Sequence, residues 1–224
     1  MFGIIPSVAH EIVGITITPR TMTCSWIAAT PEGPAPYILR AYKHILFELH
    51  EKNTLTLFNP TRVRSLILNF LQLYDLEDAT VVIALSGQGV TEKQMMLTQP
   101  TAPLGALEKD ELTAWHYYQL QEAPTLPKSP WYCCGISRTL LLQYQLLSIQ
   151  IALNLVQITT PTMALLKAYR FIKHQQAPTT EKPHATILDM VNLNGQLRMR
   201  SPHEHAGVVE SFGLYLLGAE HAQG

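Results

Sequence analysis

A pair of glycines after an apolar run is the feature of this sequence best suited to bind a phosphate. Residues 81–90 read VVIALSGQGV, so Gly87 and Gly89 follow a segment typical of a buried strand. A phosphate-binding loop needs a helix N-terminus or a lysine directly after its glycines. Here Val90 and Thr91 continue toward another strand. We therefore interpret the glycines as a tight turn.

Other residues with metal-binding or catalytic chemistry lack the spacing that such sites need. His203, Glu204 and His205 offer two imidazoles and a carboxylate, but no cysteine joins them, and we interpret the segment as a solvated loop. Ser86 lacks the preceding glycine of a nucleophile elbow, and the chain has no G-x-S-x-G or H-E-x-x-H motif. The sequence thus predicts no catalytic residue and no metal site.

Aromatic side chains are concentrated in two segments that are typical of strands. They are Trp115, His116, Tyr117, Tyr118, Trp131 and Tyr132. Such rings usually pack across a strand pair and into the core. Large amphipathic rings are also enriched at protein interfaces. Both interpretations stay open for this group.

The elements that must position these residues follow an α/β order. The predicted strands are 11–18, 21–29, 37–49, 54–58, 80–85, 92–99, 113–122, 131–137 and 155–159, with a hairpin at 184–200. The pattern of residues 37–49 also fits a helix, but their place after a hairpin favours a third strand. The predicted helices are 60–74, 138–154, 161–174 and 208–222, with a loop at 201–207. Asn59-Pro60 and Thr160-Pro161 are helix-start signals, because each places a capping residue before a proline.

The composition indicates a folded chain without a basic surface. Of its 224 residues 47% are apolar and 15% are charged, and the net charge is −1. No basic excess points to nucleic acid as a partner. Cys24, Cys133 and Cys134 cannot all be paired, and we expect the adjacent pair, Cys133 and Cys134, to be small core residues in a reducing compartment.

Residues 139–166 contain no charge and are long enough to span a bilayer. Gln143, Gln150, Asn154 and Gln157 recur at helical spacing, however, which favours an amphipathic helix outside the membrane. The first residues also lack the basic and apolar regions of a signal peptide. We predict no membrane span.

The order of elements resembles the PilM family of type IV pilus assembly proteins, including its shorter HofM-like members. In that family a segment similar to VVIALPGSAV leads into an inserted small subdomain, as residues 81–90 do here. Residues 160–168, TPTMALLKA, occupy the place of a family segment ending in ALLRA. Residues 211–221, SFGLYLLGAEH, resemble the small-residue helix that closes the family chain.

This resemblance implies an α/β fold with an actin-like (ribonuclease-H-like) lobe, an inserted small α+β subdomain and a second lobe that is largely missing. Residues 1–91 would form the first part of the first lobe, and residues 92–154 the inserted subdomain. Residues 155–224 would form the remainder of the first lobe, a reduced second lobe and the C-terminal helix.

The resemblance also implies a cytoplasmic scaffold peripheral to a bacterial inner membrane, with oligomerisation within the assembly left open. PilM-like proteins bind an N-terminal peptide of the membrane protein PilN in a groove between the first lobe and the small subdomain. By position, residues 90–96, 115–118 and the helix 138–154 would line that groove. The partner-binding residues expected are Val90, Met95, Trp115, Tyr117 and Tyr118.

The nucleotide site of actin-like ATPases is degenerate in this sequence. The family opens with a strand resembling VGIDIGSSSVKVV, whose Asp organises the metal and whose Gly admits the phosphates. Thr16 replaces that Asp, and Thr18 replaces that Gly. A neutral hydroxyl is a poor substitute for a carboxylate at a metal, and a β-branched residue resists close phosphate approach. Asp189 stands near the second phosphate hairpin, but without glycines around it. We therefore expect no cofactor and no ATPase activity.

Two alternatives remain at the level of the sequence. The first is an active nucleotide-binding member of the actin-like class. The second is the cytoplasmic domain of a GspL-like type II secretion protein, which shares the fold. A GspL-like protein would carry a membrane helix after its actin-like region.

Overall fold

Two sheets and four helices make up the described part of the chain. The computed structural model describes residues 11–29, 37–47, 60–97, 112–120, 129–175 and 202–221. In chain order the elements are β1 (Glu11–Ile17), β2 (Thr21–Ala29), β3 (Tyr37–Leu46), α1 (Pro60–Leu73), β4 (Thr80–Leu85), β5 (Val90–Leu97), β6 (Thr113–Gln119), β7 (Ser129–Ser137), α2 (Arg138–Gln150), β8 (Leu155–Thr159), α3 (Pro161–Gln175) and α4 (Pro202–His221).

The main sheet has the strand order β3-β2-β1-β4-β8. Its first three strands form an antiparallel meander, whereas β4 pairs in parallel with β1 and with β8. Residues 81–85 of β4 are all fully buried. In a strand that is covered on both faces, apolar and polar residues need not alternate, which explains the unbroken apolar run VVIAL.

Helices cover the main sheet on both faces. On one face α1 and α2 supply Phe70 and Tyr144 to a core that includes Ile15 of β1. On the other face α3 and α4 supply Ala164 and Leu214 to a second core. The predicted domain boundaries assign α2 to the small subdomain, and they stay a prediction; the buried side of α2 packs in the core of the main sheet.

The helices α3 and α4 pack with their backbones in contact. A Cβ atom added to Gly213 of α4 would lie only 1.8 Å from the backbone oxygen of Ala164 in α3. A Cβ on Gly14 of β1 would lie 3.0 Å from Leu214 Cβ. The small residues of the closing helix therefore let it approach both α3 and the centre of the main sheet.

The small sheet has the order β5-β7-β6 and is antiparallel. It begins after the glycine pair, where Gly87 and Gly89 have φ values of 128° and 84° that favour glycine. The N–H of Val90 donates to the carbonyl of Gly87 at 3.0 Å and closes the turn. The turn interpretation of this segment is confirmed.

Two helix boundaries differ from the sequence prediction. The helix α2 ends at Gln150 rather than at 154, and Ala152 beyond it has a φ of 51° that no helix continues. The polar face predicted for it was therefore wrong at Asn154 and Gln157. The helix α4 begins at Pro202 rather than at 208, so residues 202–207 are helical and not a loop.

Some expectations concern other parts of the chain. The strand at 54–58, the hairpin at 184–200 and Asp189 lie outside the described residues. Within the described residues the three cysteines are free and buried, as expected for Cys133 and Cys134. No helix among those residues is both long and apolar enough to cross a membrane.

Candidate partner-binding site

The five residues predicted to bind a partner lie on the two edge strands of the small sheet. Val90 and Met95 belong to β5, whereas Trp115, Tyr117 and Tyr118 belong to β6. All five are half-buried. The pairing of both strands with β7 places Met95, Trp115 and Tyr117 on one face of the sheet, here called the outer face, and Val90 and Tyr118 on the other.

The inner face, which carries Tyr118 and Tyr132, packs against α3. The Tyr132 hydroxyl lies 3.1 Å from Thr160 Oγ1, just before α3 begins. The Arg170 guanidinium of α3 stacks over the Tyr118 ring at 4.3 Å. Met163 of α3 joins Tyr132 in one buried cluster. The inner face is thus a packing surface that fixes the small sheet against the lobe.

On the outer face, Trp115 lies across a glycine of the neighbouring strand. A Cβ on Gly135 would come within 2.9 Å of the Trp115 ring. The indole Nε1 of Trp115 is buried and makes no hydrogen bond within the described part of the chain. Trp115 therefore covers the centre of β7 and keeps one donor unused.

A cavity of about 120 Å³ lies between the small sheet and the main sheet. It is lined by Ala114, Trp115, His116, Cys134, Ile136, Leu141, Gln157, Ile158 and Thr159. Of the residues predicted to bind a partner, Trp115 lines this cavity, and α2 contributes Leu141. Sequence reasoning missed the contribution of β8, because a short run of five residues gives no sign that its strand lies at a sheet edge.

The cavity is electrically neutral. None of its lining residues is acidic, lysine or arginine. Partial burial lowers the pKa of His116 and so favours the neutral form of its imidazole. Burial, with Glu92 nearby, raises the pKa of Cys134 to about 11, so its thiol stays protonated. The cavity can accept apolar or uncharged polar groups without leaving a buried charge unpaired.

Thr16, predicted from the resemblance to replace a metal-binding Asp, is buried and bonded within the protein. Its hydroxyl donates a hydrogen bond to the carboxylate of Glu210 on α4. Burial raises the pKa of Glu210, and the hydrogen bond from Thr16 opposes that rise. Sequence reasoning missed Glu210, although a lone acid within the apolar stretch 208–219 was a usable signal.

The side chain of Thr18 stabilises the turn between β1 and β2 through hydrogen bonds. Its hydroxyl oxygen accepts hydrogen bonds from the backbone N–H groups of Thr21 at 2.9 Å and Arg20 at 3.2 Å. Across the described ranges, no three His, Cys, Asp or Glu side chains gather as a metal site. The side chains of residues 203–205 lie outside the described part.

Comparison with known proteins identifies the fold. No protein-family model and no curated protein sequence matches the chain. Among solved structures, it resembles a chain of the PilM-PilN type IV pilus biogenesis complex, with 15% identity, a TM-score of 0.54, and coverage of 75% of this chain and 52% of that chain.

Two further solved structures have lower TM-scores. The cytoplasmic domain of EpsL, an inner membrane component of the Vibrio cholerae type II secretion system, has 12% identity, a TM-score of 0.41, and coverage of 69% of this chain and 58% of that one. Thermus thermophilus RuvC has 10% identity, a TM-score of 0.45, and coverage of 95% and 96%.

The chain spans about half the length of the chain that it matches in the PilM-PilN complex. At 15% identity this likeness concerns the fold alone. The α/β actin-like fold expected from the sequence is confirmed, and with it, at the level of the fold, the resemblance to PilM.

Proposed function

We propose that this chain is a non-catalytic scaffold of a type IV pilus or a related secretion machine, which binds a short peptide of an inner-membrane protein similar to PilN. The observation that carries the proposal is the neutral cavity between the two sheets, in a fold shared with a chain of the PilM-PilN complex. In this proposal the protein works at the cytoplasmic face of the inner membrane.

Co-purification from native membranes tests the proposal. Tagged full-length chain is cross-linked in its host, and its partners are identified by mass spectrometry. We expect an inner-membrane assembly protein. Ala114→Arg, which places a charge in the cavity, should abolish its capture, whereas Thr61→Arg on the exposed start of α1 should leave it unchanged. Capture that is equal for both variants would contradict the proposal.

The proposed absence of catalysis rests on Thr16. Its hydroxyl is buried and donates a hydrogen bond to Glu210, so this hydroxyl is already engaged within the protein. Calorimetric titration with Mg-ATP should therefore give no micromolar binding. Binding in that range would favour the ATPase alternative. Capture of a type II secretion protein in the co-purification would favour the GspL-like alternative.

A further inference from the structure

The helix α2 is apolar on two opposite faces. One face is buried in the core of the main sheet and consists of Leu140, Tyr144 and Leu147. The opposite face carries Leu142, Leu146 and Ile149, which are 57%, 57% and 76% exposed. Because these three residues are spaced by four and three positions, they form one continuous stripe, here called the α2 stripe.

The neighbouring helix α1 shows the usual outward face of a helix in this protein. It packs on the same face of the main sheet as α2. Apart from Leu73 at its end, its exposed residues are polar; they are Thr61, Arg64, Ser65, Asn69 and Gln72. A helix that is apolar on opposite faces is typical of one that is covered on both. The α2 stripe therefore indicates a surface that another molecule covers.

The residues beside the α2 stripe are uncharged. Positions 139–150 contain no Asp, Glu, Lys or Arg, and the stripe is flanked by Gln143, Gln145 and Gln150. Charged residues beside an apolar stripe select a particular partner helix, and helices that bind a membrane surface carry Lys or Arg on their polar face. The α2 stripe has neither feature. An identical helix can pair with it without repulsion between like charges.

The two ends of α2 favour an antiparallel pair. Arg138 begins the helix, whose first turn has no acidic residue and whose last turn has no basic residue. The helix dipole disfavours a cation at the N-terminal end and favours one at the C-terminal end. In an antiparallel pair, Arg138 of each copy comes near the C-terminal end of the other α2. Its charge then lies where free carbonyl groups attract it.

The spacing of the stripe fits this arrangement. A two-fold axis near Leu146 places Leu142 against Ile149 of the second copy. Arg138 then lies opposite position 154, which is about 6 Å along the axis beyond the last helical residue, Gln150. The side chain of an arginine spans that distance.

We propose that the α2 stripe is an interface with a second copy of this chain, in which two α2 helices pack antiparallel about a two-fold axis near Leu146. The inference goes beyond the proposed function and does not depend on it, because the cavity lies on another side of α2, at Leu141. Two-fold contacts are the commonest in homo-oligomers. Two helices about 20 Å long make a small interface, so we expect a dissociation constant on the order of 10–100 μM.

Sedimentation equilibrium of the full-length chain, between about 1 and 500 μM, tests the interface. We expect the average mass to rise with concentration from that of a monomer toward that of a dimer. Leu146→Arg sets two like charges against each other at the axis and should keep the chain monomeric throughout. Gln72→Arg, the matched change on the exposed face of α1, should leave the dimer intact. A wild-type monomer at every concentration, or equal dimerisation of Leu146→Arg, would overturn the proposal.

Arg138→Glu tests the charge arrangement. An acid improves the N-terminal end of its own helix but faces the C-terminal end of the other one, so folding and pairing should respond in opposite directions. The dissociation constant of the dimer should rise about threefold, while the melting temperature of the dilute monomer should not fall. An unchanged or tighter dimer would overturn the antiparallel arrangement.

Cross-linking tests the register. Leu142→Cys and Ile149→Cys chains, mixed and mildly oxidised, should form a disulfide-linked heterodimer more readily than Leu142→Cys alone. Wild type is the control, because its three cysteines are buried. Equal yields from the mixture and from Leu142→Cys alone would contradict an antiparallel pair.

Two results separate this inference from its rivals. A wild-type chain that stays monomeric but floats with phosphatidylglycerol vesicles, while Leu146→Arg does not, would overturn the dimer and assign the α2 stripe to a lipid surface. A dimer that behaves as expected in a chain that captures no membrane protein would sink the proposed function and leave the interface.

Discussion

The centre of the main sheet is closed by packing and a hydrogen bond, whereas its edge strand β8 borders a cavity. At the centre, Thr16 of β1 is buried and donates a hydrogen bond to Glu210 of α4, the helix that packs on this part of the sheet. At the edge, β8 borders a neutral cavity that no described side chain fills, with Trp115 on the opposite wall. The chain itself closes the first position, and under the proposed function a partner would occupy the second.

The difference shows where this actin-like lobe can interact. In a ligand-binding α/β fold, the ends of the central parallel strands are the usual place for a ligand. Here a carboxylate and a close-packed helix take up that place. Under the proposed function, the junction of the two sheets is the surface that a partner peptide would occupy.

The largest expected effect concerns the packing of α4 on α3 and the main sheet, here called the closed side. Gly213→Ala would place a methyl group against the backbone oxygen of Ala164 and force α4 away from α3. Alanine normally stabilises a helix over glycine by about 0.5–1 kcal/mol, but overpacking here should cost at least about 2 kcal/mol. Urea denaturation measures the change.

Gly218→Ala in the same helix is the matched control. Its Cβ would lie 3.0 Å from methyl groups of Ile12 and Val82, which can shift by a few tenths of an ångström. The loss in free energy of unfolding should be clearly smaller than for Gly213→Ala. Equal losses would mean that the contact between α3 and α4 is not what closes this side.

The next effect concerns the cavity at the junction of the two sheets, here called the open side. Trp115→Ala and Tyr117→Ala should each lower capture of the proposed membrane partner about tenfold, as truncation of an aromatic hot-spot residue does, and leave the fold intact. Quantitative pull-down against circular dichroism distinguishes binding from folding. Tyr169→Ala, at an exposed aromatic of α3, should change neither. Unchanged capture by both variants would show that these two aromatic residues do not belong to the binding site.

The sequence predicted the main sheet well because its signals are local. Asn59-Pro60 and Thr160-Pro161 start helices through their own backbone chemistry, and β4 is apolar along its whole length. The end of α2 was harder, because residues 151–154 keep a helical polarity pattern while the chain turns at Ala152.

The candidate site was less predictable, because it depends on the docking of one sheet against another. Trp115 stood out by its residue type, but nothing local indicates that it lines a cavity together with β8. The contact between Thr16 and Glu210 joins residues 194 positions apart, and no periodicity encodes it. Sequence patterns report burial along an element and not which elements meet.

A smaller effect tests the closed side through pH. Because burial raises the pKa of Glu210 above its ordinary value of 4.5, the native state holds this proton more tightly than the unfolded state. The stability that this group contributes is therefore full below that ordinary value and is lost as the pH rises through the raised pKa. Glu210→Gln should remove this loss and make the protein more stable at neutral pH.

Thr16→Val sharpens that measurement. It removes the hydrogen bond that opposes the rise in the pKa of Glu210, so the loss of stability should extend to higher pH. Urea denaturation between pH 4 and pH 8 compares the three proteins. Identical pH profiles of wild type and Glu210→Gln would show that the carboxylate is not confined at β1.

The smallest expected effect compares two buried tyrosine hydroxyls. Tyr215 of α4 packs among aromatic rings, 5.2 Å from Tyr37, and its hydroxyl has no hydrogen-bond partner among the described residues. The hydroxyl of Tyr132, at the junction of the two sheets, is bonded to Thr160. Tyr215→Phe should stabilise the protein by up to about 1 kcal/mol, because an unsatisfied buried hydroxyl is removed, whereas Tyr132→Phe should destabilise it by about 1 kcal/mol. Opposite signs in thermal denaturation would show that the closed side is held by packing and the junction by polar contacts; equal signs would contradict that division.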